Sequence, residues 1–250
     1  GVGCAVDAAS RGFSVLLLEQ SDFGKATSSR STKLVHGGVR YLANGDISLV
    51  REALKERGIL LKNAPHLVKK MAFVVPVYSL WDKIFYGSGL KIYNILSGKY
   101  GFGKSRILSK KETLEKLPNI KSENLKGGIV YYDGQFDDAR LLIDMTKTAV
   151  ESNAVVLNYA RVFGFSKNEN GKISGVDFQD EISGEIFSIK AKAVINATGV
   201  FCDSVRKLSV KKAEKIIEPS QGIHLVFDKK ILSSENALMI PKTPDGRVLF

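Results

Sequence analysis

Apolar and polar positions follow two periods along this chain, and the places where one gives way to the other mark its elements. Residues 2–11 are rich in small side chains and run into Gly12, a residue suited to a left-handed helix C-cap, so a helix is expected there. Residues 13–18 form an apolar run of strand length that ends in Glu19, the pattern of a strand buried in a parallel sheet. Over 138–152, apolar residues recur at Leu141, Leu142, Met145, Ala149 and Val150, a helical spacing opened by paired acids. Strand-like pieces follow at 154–157, 160–166, 173–180 and 185–190, with turns at Gly171 and Gly184, so 160–190 reads as a β-meander. Residues 193–199 read as a buried strand running into a glycine turn. Residues 222–227 alternate, placing His224 and Val226 on one face and Ile223, Leu225 and Phe227 on the other. Ser109 and Glu112 form a capping box that opens a short helix to Leu117.

Helix, buried strand and terminal acid make the second half of a βαβ unit. In a dinucleotide-binding fold the acid at that strand end accepts hydrogen bonds from the adenosine ribose, which is the place of Glu19. No strand and no first two glycines of G-x-G-x-x-G precede Gly1, which is then expected to be the third, the one that lets helix and sheet pack closely. An ordinary helix–strand pair with a solvated glutamate stays open as the plainer reading. Residues 26–42 then gather hydroxyls, bases and the Gly37-Gly38 pair; hydroxyl and backbone N–H donors at a helix start suit a pyrophosphate, although a solvated Ser/Thr-rich loop has the same composition.

Composition narrows the class. Hydrophobic residues make up 44% of the 250-residue chain and charged residues 25%, which excludes disorder, collagen-like repeats and coiled coil. The two cysteines, Cys4 and Cys202, offer neither a disulfide framework nor a zinc site, and point to a reducing compartment. The net charge of +11 is concentrated in residues 51–126, which carry sixteen Lys and Arg against six Asp and Glu. No run of 18 apolar residues occurs, and the opening reads as the middle of a fold rather than as a signal peptide.

The run from Gly1 to Leu42, with Ser28-Ser29-Arg30-Ser31-Thr32-Lys33-Leu34-Val35-His36-Gly37-Gly38-Val39-Arg40-Tyr41-Leu42 at its end, resembles the FAD-dependent glycerol-3-phosphate dehydrogenase family. The resemblance extends through Ala64-Pro65-His66-Leu67, Tyr132-Asp133-Gly134-Gln135-Phe136-Asp137-Asp138-Ala139-Arg140-Leu141, Asn196-Ala197-Thr198-Gly199 and Gly222-Ile223-His224-Leu225-Val226, in family order. It implies an α/β flavoprotein: a Rossmann-like FAD domain of the glutathione-reductase and D-amino-acid-oxidase type, with a substrate domain on an antiparallel β-sheet, both incomplete. The expected parts are 1–70 and 127–210 for the FAD domain, 71–126 as a basic insertion facing substrate or membrane, and 211–250 as the start of the substrate domain. The resemblance covers roughly the N-terminal half of such an enzyme.

What the resemblance implies for single residues is specific. FAD would meet Gly1, Glu19, Thr27, Ser28, Ser31, Lys33, Leu34, His36, Gly37, Ala197 and Gly199, and the backbone of Val162 would lie against adenine. Arg40 and Tyr41 would face glycerol 3-phosphate, since a guanidinium grips a phosphate dianion with paired donors. His224 would stand beside the flavin as base or substrate-orienting residue, because a secondary alcohol must lose its hydroxyl proton as hydride leaves carbon. A lone strand histidine is also a common structural residue, and His66 is read that way; Arg247 is a secondary phosphate candidate. Non-covalent FAD is expected, and no metal.

Residues 81–96 interleave aromatics with lysines, followed by Lys99, Lys104, Arg106, Lys110 and Lys111. A basic amphipathic helix with Trp and Tyr suits an anionic membrane surface, which fits an enzyme handing electrons to a membrane quinone; packing of the apolar residues on the protein stays open. Nucleic acid is not expected, for want of any recognition motif. The expected activity is oxidation of sn-glycerol 3-phosphate to dihydroxyacetone phosphate with a quinone acceptor. The place is the cytoplasmic face of the cell membrane or the inner mitochondrial membrane, and a homodimer is a further expectation. A related flavin oxidase using oxygen, or an inactive fragment, are the alternatives.

Overall fold

A computed structural model describes residues 1–231, 233–243, 248 and 249, less the side chains of Arg40 and Ala43. In chain order the elements are α1 (Val2–Ser10), β1 (Leu16–Leu18), β2 (Leu34–Val35), α2 (Val39–Ala43), α3 (Ile47–Asn63), β3 (Val68–Val77), α4 (Leu80–Ser97), β4 (Arg106–Leu108), α5 (Lys110–Lys116), β5 (Gly127–Phe136), α6 (Asp138–Glu151), β6 (Val155–Leu157), β7 (Ala160–Lys167), β8 (Ile173–Asp180), β9 (Ile186–Lys190), α7 (Cys202–Ser209) and β10 (Ala237–Leu238). They form two compact units, one of residues 1–31 and 138–223, the other of residues 32–137 and 224–250. These divisions differ from the sequence boundaries at 70, 126 and 210. The reason lies in pairing: β2 joins β5, and α3 packs with β3 and α4, so 32–70 belong with the block that follows them.

The first unit is built on small residues. Gly12, at φ 84°, closes α1: its N–H bonds to Ala9 and that of Phe13 to Ala8, the paired bonds of a Schellman cap. Ala5 and Ala9 of α1 meet Ala149 of α6 and Ala154, all at most 5% exposed, so the two helices approach closely over β1 and β6. Those strands run parallel, Leu16 opposite Val155 and Leu18 opposite Leu157. The expected run of 13–18 shortens to three half-buried residues, and Phe13 is exposed. β7, β8 and β9 form the expected antiparallel meander, with a register shift between Val162 and Gly164.

The expected strand at 193–199 does not form. Among the described residues no ladder partner lies beside it, Ile195 is 69% exposed, and a lone strand cannot satisfy its own backbone. Asn196 organises the segment instead: its amide donates to the Cys202 carbonyl at 3.0 Å and its oxygen accepts from the Thr198 hydroxyl at 2.8 Å. Residues 222–227 likewise form no strand. Ile223, Leu225 and Phe227 are all more than 60% exposed, so their alternation meets no surface to bury against among the described residues.

The second unit centres on β3 and β5, paired antiparallel over ten residues from Val68 opposite Phe136 to Val77 opposite Gly127. β2 and β4 pair with β5, and β10 joins β3 in parallel. Both faces of this sheet are covered, which is why β5 reads as an almost unbroken buried run. Phe73, Val75, Val77, Ile129 and Tyr131 pack under Val50 and Leu54 of α3 and Leu90 and Tyr93 of α4. Val74 and Val130, on the opposite face by strand alternation, meet Leu108 and Leu117. Each such large side chain taken from water is worth about 1.5–3 kcal/mol.

Candidate functional site

The first unit gathers part of the candidate set at two places. At the start of α1, Gly1 is the N-cap and no acid stands in the first turn, so the helix dipole there favours an anion. A Cβ on Gly1 would have the Ala197 carbonyl as its nearest neighbour, at 3.8 Å, which brings Gly1 to the turn that ends in Gly199, at φ 56°. At the end of β1, the Glu19 carbonyl accepts from the Ala160 amide at 2.8 Å, placing Glu19 beside the start of β7 and near Val162, whose strand carries the bulge. One oxygen of Glu19 accepts from the Ser21 amide at 2.9 Å, which orients the carboxylate. Thr27 and Ser28 lie exposed in a 3-10 turn, while the Ser31 hydroxyl donates to buried Asp138 at 2.7 Å.

The remaining candidates lie in the second unit. Lys33 holds a left-handed backbone, φ 57°, uncommon for a residue with a side chain, as its carbonyl accepts from Phe136 and the chain turns into β2. Leu34 and Val35 pair with Gln135 and Gly134. Beyond β2, the His36 Nδ1 accepts from the Gly38 amide at 3.0 Å, which in a neutral imidazole leaves the proton on Nε2. Gly38, at φ 69°, turns the chain into α2, and Tyr41 folds back over it: a Cβ there would stand 2.7 Å from the Tyr41 ring. Tyr41 also packs against the main core. The Arg40 side chain and all of Arg247 lie outside the described residues. His224 lies in the exposed, unpaired 222–227 segment.

Sequence reading missed what lies under this turn. Asp133, 1% exposed, sits in the largely buried β5 and is ion-paired with Arg57 of α3, 2% exposed. The Arg57 guanidinium also donates to the Tyr132 carbonyl at 3.2 Å and lies 4.1 Å from the Phe102 ring centre, while its Nε finds no acceptor among the described residues. The Tyr93 hydroxyl joins them, 2.9 Å from Asp133 Oδ2. Burial, then the charge of Asp133, pushes the Tyr93 phenol well above its usual range. Burial also holds Asp133 above the usual carboxylate value, against the pull of Arg57 and of its hydrogen bonds. The one available signal was a charged residue in mid-strand, since buried charges need partners.

All 250 residues match the model of the FAD-dependent oxidoreductase family. The chain belongs to that family. Within this flavoprotein family, it is 43% identical over its whole length to the probable mitochondrial glycerol-3-phosphate dehydrogenase of Caenorhabditis elegans, and 43% identical to the mitochondrial glycerol-3-phosphate dehydrogenase of Homo sapiens, covering 36% of each. It thus spans about a third of the length of these curated relatives. The solved glycerol-3-phosphate dehydrogenase of Bacillus halodurans, in complex with FAD, superposes with a TM-score of 0.73 at 32% identity, over 99% of this chain and 42% of that one. The α/β flavoprotein fold expected from sequence is therefore borne out. The donor set fits the cofactor of the family: a helix start with glycine at its entry, and a carboxylate at the neighbouring strand end.

Proposed function

We propose that this chain is part of an FAD-dependent enzyme that oxidises sn-glycerol 3-phosphate to dihydroxyacetone phosphate and passes the electrons to a quinone at a membrane surface. The observation that carries the reading is the 43% identity, along the entire chain, to relatives named for that dehydrogenase activity, joined to the glycine start of α1 beside Ala197. FAD, when bound, supplies the two-electron acceptor for C2 of the substrate. Gly1, Val2 and Gly3 would offer their amides to its pyrophosphate, Glu19 would accept from the ribose, and Ala197 and Gly199 would flank the same place. Thr27, Ser28, Ser31, Lys33, Leu34, His36, Gly37 and the Val162 backbone complete the proposed cofactor contacts. Arg40 and Tyr41 would bind the substrate phosphate, and His224 would take the hydroxyl proton.

The membrane part of the proposal rests on α4. Trp81, Ile84, Phe85, Ile92 and Ile95 are each 47–79% exposed, while Gly87, Leu90, Tyr93 and Ser97 are buried. At 3.6 residues per turn the exposed set falls within one side of the helix and the buried set on the opposite one. Lys91 flanks the exposed stripe. No described helix is long and apolar enough to cross a membrane, so α4 would lie in the interface, its stripe toward the acyl chains and bases toward anionic headgroups. The membrane would be the inner mitochondrial one, in line with relatives named as mitochondrial, or the cytoplasmic face of a cell membrane.

The test is a visible spectrum of the full-length protein before and after anaerobic glycerol 3-phosphate. A flavin band that bleaches, and returns on addition of a quinone faster than with oxygen, supports the proposal. Bleaching only by an amine or amino acid overturns the substrate, and reoxidation by oxygen alone overturns the acceptor.

A further inference from the structure

The 36–38 turn is held from beneath by side chains that the proposed reaction does not use. The Gly37 amide lies 2.8 Å from the Tyr93 hydroxyl oxygen and 3.2 Å from Asp133 Oδ1. An amide can only donate, so the phenol oxygen accepts from it, and the phenol's own proton must go to Asp133, 2.9 Å away. Asp133 therefore serves as carboxylate, its charge answered by Arg57. These three side chains come from α3, α4 and β5, 76 residues apart for Arg57 and Asp133; Tyr93 and Asp133 meet on one backbone N–H, and Arg57 holds Asp133 from behind.

Neither ladder nor helix accounts for that convergence. The pairing of β2 with β5 ends at Val35 opposite Gly134, so Gly37 has left the sheet and α2 has not begun. A Cβ on Gly37 would collide with Leu54 and with the Tyr93 hydroxyl, so the bare backbone is pressed against the network. On the same turn His36 is fixed by its bond from the Gly38 amide. The chain thus buries an ion pair and a phenol, groups costly to desolvate, at the base of a turn whose exposed residue is His36.

We propose that Tyr93, Asp133 and Arg57 are positioning residues for the flavin: they fix the Gly37 amide, and through it set where His36 and Gly37 stand against the cofactor. This rests on the reading of His36 and Gly37 as cofactor contacts given above. None of the three touches the reacting atoms in this scheme. A core ion pair with no such role would alter global stability alone.

The test uses full-length protein carrying Tyr93→Phe, which removes one hydroxyl and keeps the ring, and Asp133→Asn; Leu108→Ala, in the cluster on the other face of the sheet, is the stability control. Amide hydrogen exchange of 34–42, FAD affinity and the flavin absorption band are read for each. Tyr93→Phe is expected to speed exchange at 36–38 by about tenfold, the loss of one buried hydrogen bond, to weaken FAD binding several-fold and to shift the flavin band. Leu108→Ala should lower the melting temperature with none of these effects. Unchanged exchange at 36–38 in Tyr93→Phe overturns the clamp, and faster exchange with unchanged FAD affinity and spectrum overturns its role toward the flavin. A wild type that holds no flavin even after reconstitution sinks the functional reading and the positioning role with it. A flavin-loaded wild type with unresponsive variants sinks the positioning role alone.

Discussion

Ser31 donates twice to one oxygen of Asp138, through its hydroxyl at 2.7 Å and its amide at 3.2 Å, across 107 residues of sequence. The other Asp138 oxygen accepts from the Ala139 amide at 2.8 Å, so a single carboxylate, 4% exposed, both sits at the start of α6 and ties the hydroxyl-rich segment to it. The negative charge at a helix N-terminus adds to the effect. Asp138→Ala is expected to destabilise the protein by about 2–4 kcal/mol, hydrogen bonds to a charged group being worth about 1.5–3 kcal/mol each. Ser31→Ala, which keeps the amide bond, should cost about 1–2 kcal/mol. Urea denaturation followed by circular dichroism measures both, and equal losses would show that the hydroxyl carries the whole tether.

The Arg57–Asp133 pair predicts a different pattern, because both partners are buried. Arg57→Met leaves an uncompensated carboxylate and should cost about 3–5 kcal/mol, as breaking a buried pair does. Arg57→Met combined with Asp133→Asn should recover part of that loss, since no charge is then stranded. A double-mutant cycle by chemical denaturation reads the coupling. Additive losses would mean that the two side chains contribute through packing, Arg57 on Phe102 above all.

How far the sequence announced this structure depends on where each signal comes from. α1 with Gly12, α6, and the meander were legible because periodicity and turn residues act locally, whatever the element later packs against. The apolar residues of 193–199 and 222–227 signalled strands that do not form, because β-propensity reports a pleated surface ready for burial and says nothing of a partner to supply it. α3 escaped notice although Asp46 caps it, its side chain accepting from the Leu49 amide at 3.2 Å, since its apolar face is narrow, with Val50 and Leu54 buried. On the site side, the proposed cofactor contacts Glu19 and Gly1 follow from the helix–strand–acid order. Tyr93 and Arg57 do not, for their chemistry comes from a fold that sets α3 and α4 against β5.

The capping box of α5 carries a pH signature. The Ser109 backbone amide, and after it Arg106 at 2.6 Å, hold the Glu112 carboxyl at about 2, below its ordinary 4.5. A carboxylate depressed in the folded state contributes stability that is fully present above its unfolded value and lost as pH falls through the folded one. The contribution should therefore persist at neutral pH and fade between about pH 4.5 and 2. Glu112→Gln removes the dependence: its melting temperature should lie below that of wild type at pH 6 and converge with it near pH 2. A constant offset across that range would mean that the cap acts without its charge.

The exposed stripe of α4 predicts how the protein meets lipid. Trp81 is the only tryptophan of this chain and sits at the head of the stripe, so its fluorescence reports insertion directly, in full-length protein with any other tryptophans replaced. Vesicles of phosphatidylcholine with a third phosphatidylglycerol should shift its emission to the blue and carry the protein down on sedimentation. Ile84→Asp with Ile95→Asp removes two large apolar groups, each worth about 2 kcal/mol when buried, which corresponds to a loss in partitioning of nearly a thousandfold. Lys91→Glu should weaken binding by less, about 1 kcal/mol for each charge at the surface, and only at low salt, because screening shortens the reach of the headgroup potential to about 8 Å at physiological ionic strength. If pure phosphatidylcholine served as well as the anionic mixture, the bases would have no part in docking. If both isoleucines could be replaced without effect, the stripe would face a surface other than a bilayer.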